Sequence, residues 1–420
     1  MMPTLHSVLH WIDHSLLYRI LLWFYGLYPV LMACMWVVLS LFFWTRREKE
    51  KKQPVLVSPL PLVSVVIAAF DEEYAIGRTL DALLKMKYPS FEVVVVDDGS
   101  SDRTSEIVRS YIEKGPVRLV QKEVNEGKAM ALNDALPVCR GEILLLIDAD
   151  IIVTPDLLNN IVPHFRSSRV GAVTGNPRVA NRRGLLKRLQ AIEFSSIISM
   201  QRRAQRIWGR VMTVSGAVVA FRRSAILDVG LFTPSMATED IDMTWRLQMR
   251  FWDIRYEPRA VVWMEVPPNL REFWKQRRRW VRGLAQVLRR YRPVPLHWKW
   301  RRLWPVFYES TISILWAFTF VGITLYWLIC LFAGDHPYGA SPIPNFWGML
   351  IATACIIQLV TGALEDRRYD PKIATCLPEA FYYPLIYWTL MSTITCIYTI
   401  GALFRKPPQM QRWKIQRSVA

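Results

Sequence analysis

The sequence is poor in the features that staple a chain together or announce a familiar catalyst. Six cysteines in 420 residues show no CxxC or other ligand spacing. Cys34, Cys330, Cys355 and Cys396 fall inside apolar runs, which excludes a disulfide framework and a structural zinc site. No internal repeat, low-complexity segment or collagen-like composition occurs, and HExxH, GxSxG and P-loop motifs are absent. Acidic residues are scarce beside basic ones, 35 Asp+Glu against 53 Lys+Arg, for a net charge of +18. That balance points to a polyanionic partner, whether lipid headgroups, nucleotide phosphates or nucleic acid, without choosing among them.

Charge of either sign is thin, at 21% of residues against 52% hydrophobic. The apolar excess sits in residues 16–44, 307–333, 346–364 and 385–404, each near the roughly 20 residues that span a bilayer. A membrane protein is expected, and the mean hydropathy of +0.15 averages two solvents. We divide the chain into an N-terminal anchor (1–45), a soluble-type domain (46–266), an amphipathic interfacial segment (267–304), C-terminal transmembrane helices (305–404) and a basic tail (405–420).

The first apolar run lacks a small-residue cleavage site and precedes RREKEKK, so it stays as an anchor with its basic flank inside. This puts the central domain in the cytoplasm. Residues 334–345 contain no Lys or Arg and fit the outer face, and DRRYDPK returns inside. Carrying the count on leaves the tail outside, against the same rule, so either Pro384 splits the last run or that helix is re-entrant. The stretch before Arg19 reads as an interfacial helix or part of a short second pass. His6, His10 and His14 recur every fourth residue, a spacing a metal would accept, although a polar entry to the anchor accounts for them.

Within the central domain LVSVVIAAF, IGRTLDALLKM, FEVVVVD, TSEIVRSYIEK, VRLV, KAMALNDAL and EILLLID alternate strand and helix patterns. Near-continuous Val/Ile/Leu strands indicate a doubly wound, mainly parallel α/β sheet buried on both faces. Ligands of such sheets bind beyond the carboxyl ends of the strands. There the acids collect: Asp71 and Glu73 after the first strand, Asp97 and Asp98 after the second, Asp148 and Asp150 after the fourth.

Residues i and i+2 of a strand share a face, so Asp148 and Asp150 can turn toward one hard cation such as Mg²⁺ or Mn²⁺, with substrate phosphates completing its shell. A helix cap followed by the turn Thr154-Pro155-Asp156 explains the pair equally. Asp97 and Asp98 suit a base N–H or a ribose hydroxyl, while Ser101 and Thr104 beside them make an ordinary cap. Lys128 opens a helix as a phosphate or carboxylate partner, or as a solvated lysine. Glu239 and Asp240 suit a helix N-terminus by its dipole alone. Residues 270–290 carry apolar positions at helical spacing among arginines, with Gln276 and Trp280 one turn apart and Arg279 able to fork onto a phosphate. A plain interfacial anchor would look similar.

The order SVVIAAFDEE, DDGSSDRT, NEGKAMALN, DAD, GNPRV, SGAVVAFRRSAI, TEDIDMTWRLQ and QRRRWVRG resembles the processive glycosyltransferases of family 2, over nearly the whole chain. VGAVTGNPRV, EFSSIIS, TVSGAVVAFRRSA and ATEDIDMTWRLQ with KQRRRW are most similar to bacterial poly-β-1,6-N-acetyl-D-glucosamine synthases of biofilm formation. The resemblance implies an α/β nucleotide-diphospho-sugar transferase domain set between transmembrane helices of the bacterial inner membrane. Asp97 and Asp98 would hold uridine, with Asp71, Glu73, Lys128, Asp148 and Arg279 also on the donor, UDP-N-acetylglucosamine. Asp148 and Asp150 would hold Mg²⁺ or Mn²⁺, Asp240 would be the general base, and Gly216, Glu239, Gln276 and Trp280 would face the growing polysaccharide. It also implies a small companion membrane subunit and, in some members, cyclic di-GMP at the shared interface. Two departures stand out: one convincing N-terminal span instead of two, and no further domain after the last span, so a built-in cyclic-dinucleotide receptor is not expected.

Within this class, a chitin, hyaluronan or cellulose type of synthase, or transfer of one sugar to a lipid, are the alternatives. From other classes, a basic nucleic-acid-binding or regulatory membrane protein would not need ordered carboxylates at strand ends. A transporter would favour charge inside the spans, where little besides Arg19 and Glu309 occurs. No nucleic-acid partner is expected.

Overall fold

The structure is a computed structural model, and it describes residues 5–49, 59–335, 337 and 346–412. The end of the RREKEKK cluster, most of the 334–345 loop and the tail beyond residue 412 lie outside the described residues.

Eight strands form one sheet: β1 (Val63–Ala69), β2 (Phe91–Asp97), β3 (Val117–Gln121), β4 (Ile143–Asp148), β5 (Ile152–Val153), β6 (Val170–Val179), β7 (Val218–Arg222) and β8 (Asp253–Met264), in the order β3-β2-β1-β4-β7-β6-β8-β5. β3, β2, β1 and β4 are mutually parallel. The apolar runs of β1, β2 and β4 are buried on both faces because alternate side chains serve separate cores, whereas the edge strand β3 is only partly covered. Val63, Val65 and Ile67 pack with Ile76, Leu80 and Val108, whereas Val66 and Ala68 pack with Ala131, Leu132 and Met243. The register sets Ala69 beside Asp97 and Ala68 beside Asp148, so the acids after β1, β2 and β4 rise from one edge.

Beyond β4 the sheet is mixed. β7 runs antiparallel to β4 and β6, and β5 antiparallel to β8, while β6 and β8 are parallel. The reversal has a consequence for the site. β7 enters, instead of leaving, at the edge where β4 ends, with Val218 opposite Ile147, and Gly216 just before it arrives beside Asp148.

Four helical stretches among the described residues are long and apolar enough to cross a membrane: Leu16–Glu48, Trp298–Ala333, Gly348–Asp366 and Pro371–Phe404. The first run thus forms one such stretch, preceded by the separate helix Leu5–His14. The histidines of that helix are locally engaged: His6 Nδ1 lies 3.0 Å from Asp335 Oδ2, and the His10 and His14 rings stack at 4.1 Å. Buried ion pairs hold the spans to the domain. Arg203 reaches Glu48 at 2.6 Å and Asp366 at 2.8 Å, and Arg178 also pairs with Asp366.

Pro384 falls in a short π-helical piece, Tyr383–Tyr387, between the 3₁₀ stretch Pro371–Tyr382 and the helix Trp388–Phe404. Both ends of this run rest on the sheet domain's side. Arg182 pairs with Asp370 and Arg188 with Glu379 at one end. At the other, Arg289 donates to the Arg405 carbonyl at 2.5 Å and the Gln411 N–H to the Pro234 carbonyl at 2.9 Å. Both ends of the run thus contact the sheet domain or the helix Leu270–Arg290 packed on it.

Candidate active site

The four acids after β1 and β2 stitch their loops together. Asp71 Oδ1 accepts from the Ser101 N–H at 2.9 Å, and its own N–H donates to Ser100 Oγ. Glu73 takes the Arg103 Nε at 3.3 Å. Asp97 accepts from the Ser100 N–H at 3.0 Å and from the Ser105 hydroxyl. Fully buried Asp98 accepts from the Glu126 and Gly127 N–H groups at 3.1 and 2.6 Å and pairs with Lys122 at 3.1 Å. The cap reading of these residues describes their contacts here, and each carboxylate keeps acceptor capacity for a further donor. Asp98 also fixes the start of helix Lys128–Ala135.

A second group converges around the Lys128 ammonium. Its Nζ lies 2.5 Å from Asp148 Oδ1, 3.5 Å from Glu239 Oε1 and 3.3 Å from the Gly216 carbonyl. A Cβ built on Gly216 would lie 3.2 Å from Asp240 Oδ2, so the missing side chain keeps the approach to that carboxylate open. Lys128, Asp148, Gly216, Glu239 and Asp240 are thus brought together from four chain segments.

Helix Glu239–Met249 begins at this cluster, and helix Leu270–Arg290 presses on its entry. The press is close at Gly283, where a Cβ would come 2.2 Å from Thr238 Oγ1, and Gln286 accepts from the Ala237 N–H at 3.0 Å. Arg279 on this helix is exposed and close enough to Asp240 to favour its charge. Trp280 and Gln276 turn toward another neighbour. The Trp280 ring lies under the Arg277 guanidinium at 4.0 Å, within a cluster that includes Trp274, Tyr383 and Tyr387. Gln276 Oε1 is buried with no hydrogen-bond partner among the described residues, an acceptor left for something else.

Burial pushes Asp240 up to about 6, Glu239 beside it adds to the rise, and Lys128 and Arg279 oppose it. A carboxylate there can hold a proton and release it near neutral pH. Lys128 stays charged: burial works against its ammonium, but Asp148 and Glu239 outweigh that and hold it above the ordinary lysine range.

Three contributors escaped the sequence reading. Arg277 looked like one more solvated arginine, yet it is fully buried and meets Glu193 Oε2 at 2.5 Å. Its place one turn from Phe273 and Trp280 on the apolar face was the available signal. Arg202 is buried close enough to feel Asp240, and burial lowers it to about 10. Thr238 Oγ1 is buried, with no hydrogen-bond partner among the described residues, at the mouth of the same loop. Nothing local in the sequence marks these last two.

Among the described residues no three or more His, Cys, Asp or Glu gather closely enough to hold a metal by themselves. Asp148 and Asp150 would supply two hard oxygen donors, and a Mg²⁺-like ion takes one or two carboxylates with substrate phosphates and water. The donor set fits such an ion only together with a phosphorylated ligand.

Acids gathered beyond the ends of parallel strands, beside a buried carboxylate poised to exchange a proton, fit a transferase working on a nucleotide-linked donor. The chain belongs to glycosyltransferase family 2: the family model described as "Glycosyltransferase like family 2" matches residues 60–283. It is 32% identical over 393 residues to the poly-β-1,6-N-acetyl-D-glucosamine synthase of Staphylococcus epidermidis, covering 92% of this chain and 95% of the relative. The synthase of the same name from Staphylococcus aureus is 33% identical over 402 residues, with the same coverage. Among solved structures, a mannosyltransferase from Pyrobaculum calidifontis, in complex with GDP-mannose and Mn²⁺, superposes with a TM-score of 0.62. It is 22% identical and covers 91% of this chain and 99% of its own, a likeness of fold.

Proposed function

We propose that this chain is a membrane-embedded inverting N-acetylglucosaminyltransferase that extends a β-1,6-linked polymer from UDP-N-acetylglucosamine. The observation that carries the reading is the convergence of Lys128, Asp148, Gly216 and Asp240 at the sheet edge, in a chain about one-third identical to synthases of that polymer. The transfer is a single displacement. The acceptor hydroxyl oxygen bonds to the anomeric carbon of the donor as the bond from that carbon to the diphosphate oxygen breaks, and UDP leaves with the electron pair. Asp240 takes the hydroxyl proton. Its largely buried carboxylate faces the gap left by Gly216, and its titration near 6 leaves it mostly ionised at neutral pH, ready to accept.

Asp148 and Asp150 would hold a divalent ion, Mg²⁺ or Mn²⁺, which supplies positive charge to the departing diphosphate. Lys128 keeps Asp148 and Glu239 oriented on one ammonium, and Arg279 offers an exposed cation to phosphate. Asp71, Glu73, Asp97 and Asp98 build the wall on which uridine would rest. Gln276 offers its unpaired acceptor to the acceptor sugar, and Trp280 an aromatic face. In this reading the sheet domain is cytoplasmic, the spans lie in the bacterial inner membrane and pass the chain outward for biofilm, and a small companion subunit completes the complex.

The test is incorporation of radiolabelled sugar from UDP-N-acetylglucosamine by membranes carrying the chain, with and without divalent metal, then digestion with a β-1,6-specific hexosaminidase. Metal-dependent polymer that the hexosaminidase degrades is expected. Polymer resistant to it would replace the linkage, and incorporation only from another nucleotide sugar would replace the donor.

A further inference from the structure

A second feature lies apart from the Lys128, Asp148 and Asp240 cluster. A cavity of about 580 Å³ opens between the sheet domain and the start of the Trp298–Ala333 span. Seven basic side chains line it against one carboxylate, Asp253, and none of its lining residues belongs to the Lys128, Asp148 and Asp240 cluster. Asp253 is already engaged, by Arg206 at 2.9 Å and Arg255 at 3.0 Å. The remaining cations have no carboxylate within the cavity wall to neutralise them.

Arg210 makes the point most sharply. It is 8% exposed, its Nη1 donates to the Gly209 carbonyl at 2.7 Å, and its Nε has no hydrogen-bond partner among the described residues. A buried guanidinium with an unmatched donor is costly unless something polar arrives to meet it. Its environment is also repulsive: burial, then Arg302 beside it, hold it below the ordinary arginine range. At the rim, Phe251 has φ of 67° just past the helix Glu239–Met249. Its N–H donates to the Gln248 carbonyl and that of Trp252 to the Leu247 carbonyl. Glycine is the relaxed residue for such a left-handed helix end, so a half-exposed aromatic there is held against a backbone cost. Solvated surface arginines would need neither the enclosure nor the strain.

The chemistry that answers an enclosed set of guanidiniums is a phosphate, whose oxygens accept paired N–H bonds. We propose that this cavity binds a phosphodiester-bearing anion, supplied by the headgroup of an anionic bilayer lipid or by a soluble phosphate ester. The lipid source has local support. Leu296 and Trp298 are 81% and 68% exposed beside the lining residue Lys299, where the chain enters its span, and exposed aromatic and aliphatic groups there suit the bilayer interface. A route to catalysis exists in the same element: Arg206 lines the cavity, and Arg202, one turn earlier on helix Met200–Trp208, lies near Asp240.

The full-length protein in phosphatidylcholine nanodiscs separates the sources. One arm adds phosphatidylglycerol and measures its retention by native mass spectrometry. The other titrates the soluble dinucleotide pApA by calorimetry, with and without saturating UDP. Two variants report on the site: Arg210→Gln, and the exposed pair Lys299→Gln with Arg302→Gln, which decides the matter if the buried change impairs folding. The expected result is that at least one probe binds the wild type, is not displaced by UDP, and weakens about tenfold or more in the variants, as the loss of a charge-assisted hydrogen bond implies, while UDP affinity stays unchanged. Phosphatidylglycerol retention identifies the lipid source, and pApA binding the soluble one. Binding of neither probe, displacement of pApA by UDP, or equal binding by wild type and the surface pair would overturn the proposal.

Discussion

If Asp240 takes the acceptor proton, its raised titration must appear in the rate. Only the ionised form is a base, so kcat/KM should rise with pH through about 6 and level off above it. The size follows from the environment. An aspartate in water titrates near 3.9, and at about pH 5 it would still be almost wholly ionised, whereas a group titrating near 6 is then roughly nine-tenths protonated. About a tenfold fall from the plateau is therefore expected at about pH 5. The two leading causes of the shift are burial and the neighbouring Glu239. Glu239→Gln removes the second and leaves the first, so the inflection should move down toward the ordinary value while remaining above it. Asp240→Asn keeps the shape and removes the base, and it should lower the plateau by about 10²- to 10⁴-fold with UDP affinity preserved. The assay is initial-rate incorporation from labelled UDP-N-acetylglucosamine across this pH range, with UDP binding followed in parallel. A profile flat to about pH 5, an inflection unmoved in Glu239→Gln, or an equal loss of UDP affinity in Asp240→Asn would each refute the assignment.

Asp150→Ala should abolish the divalent-metal dependence of UDP binding, measured by calorimetry with and without Mg²⁺, and an unchanged dependence would remove the residue from the metal site. Gly283→Ala places a methyl group on Thr238, so overpacking of about 1–3 kcal/mol should displace the loop carrying Asp240 and lower kcat more than UDP affinity; wild-type kcat would show that the contact is slack. Arg203→Met leaves Glu48 and part of Asp366 buried without their cation, and should cost about 3–5 kcal/mol of stability, read as a lowered unfolding midpoint in detergent. A loss no greater than that of a surface arginine would show that water reaches the junction.

What the sequence made legible is what local physics decides. Alternation of β-branched runs with amphipathic stretches yields β1 to β4, and turn chemistry puts Asp97 and Asp148 at the last positions of β2 and β4 and Asp71 just past β1. The meeting of Lys128 with Gly216 and Asp240 is of another kind. It depends on β7 reversing direction against β4 and on Gly283 letting one helix press on Thr238, contacts between segments far apart in sequence. Charge was the least legible property. Arg178, Arg203 and Arg277 carry the same letter as the solvated arginines around them, and only distant Asp366, Glu48 and Glu193 turn the first two into buried ties to the membrane helices and the third into a tie between the domain and the helix Leu270–Arg290. The last apolar run makes the same point, because length and hydropathy are identical for a helix that crosses and one that turns back. What the fold adds is the Arg182 to Asp370 pair and the Gln411 to Pro234 hydrogen bond at its two ends. Such ties join residues far apart in the chain, which is why no local pattern within the run foretells them.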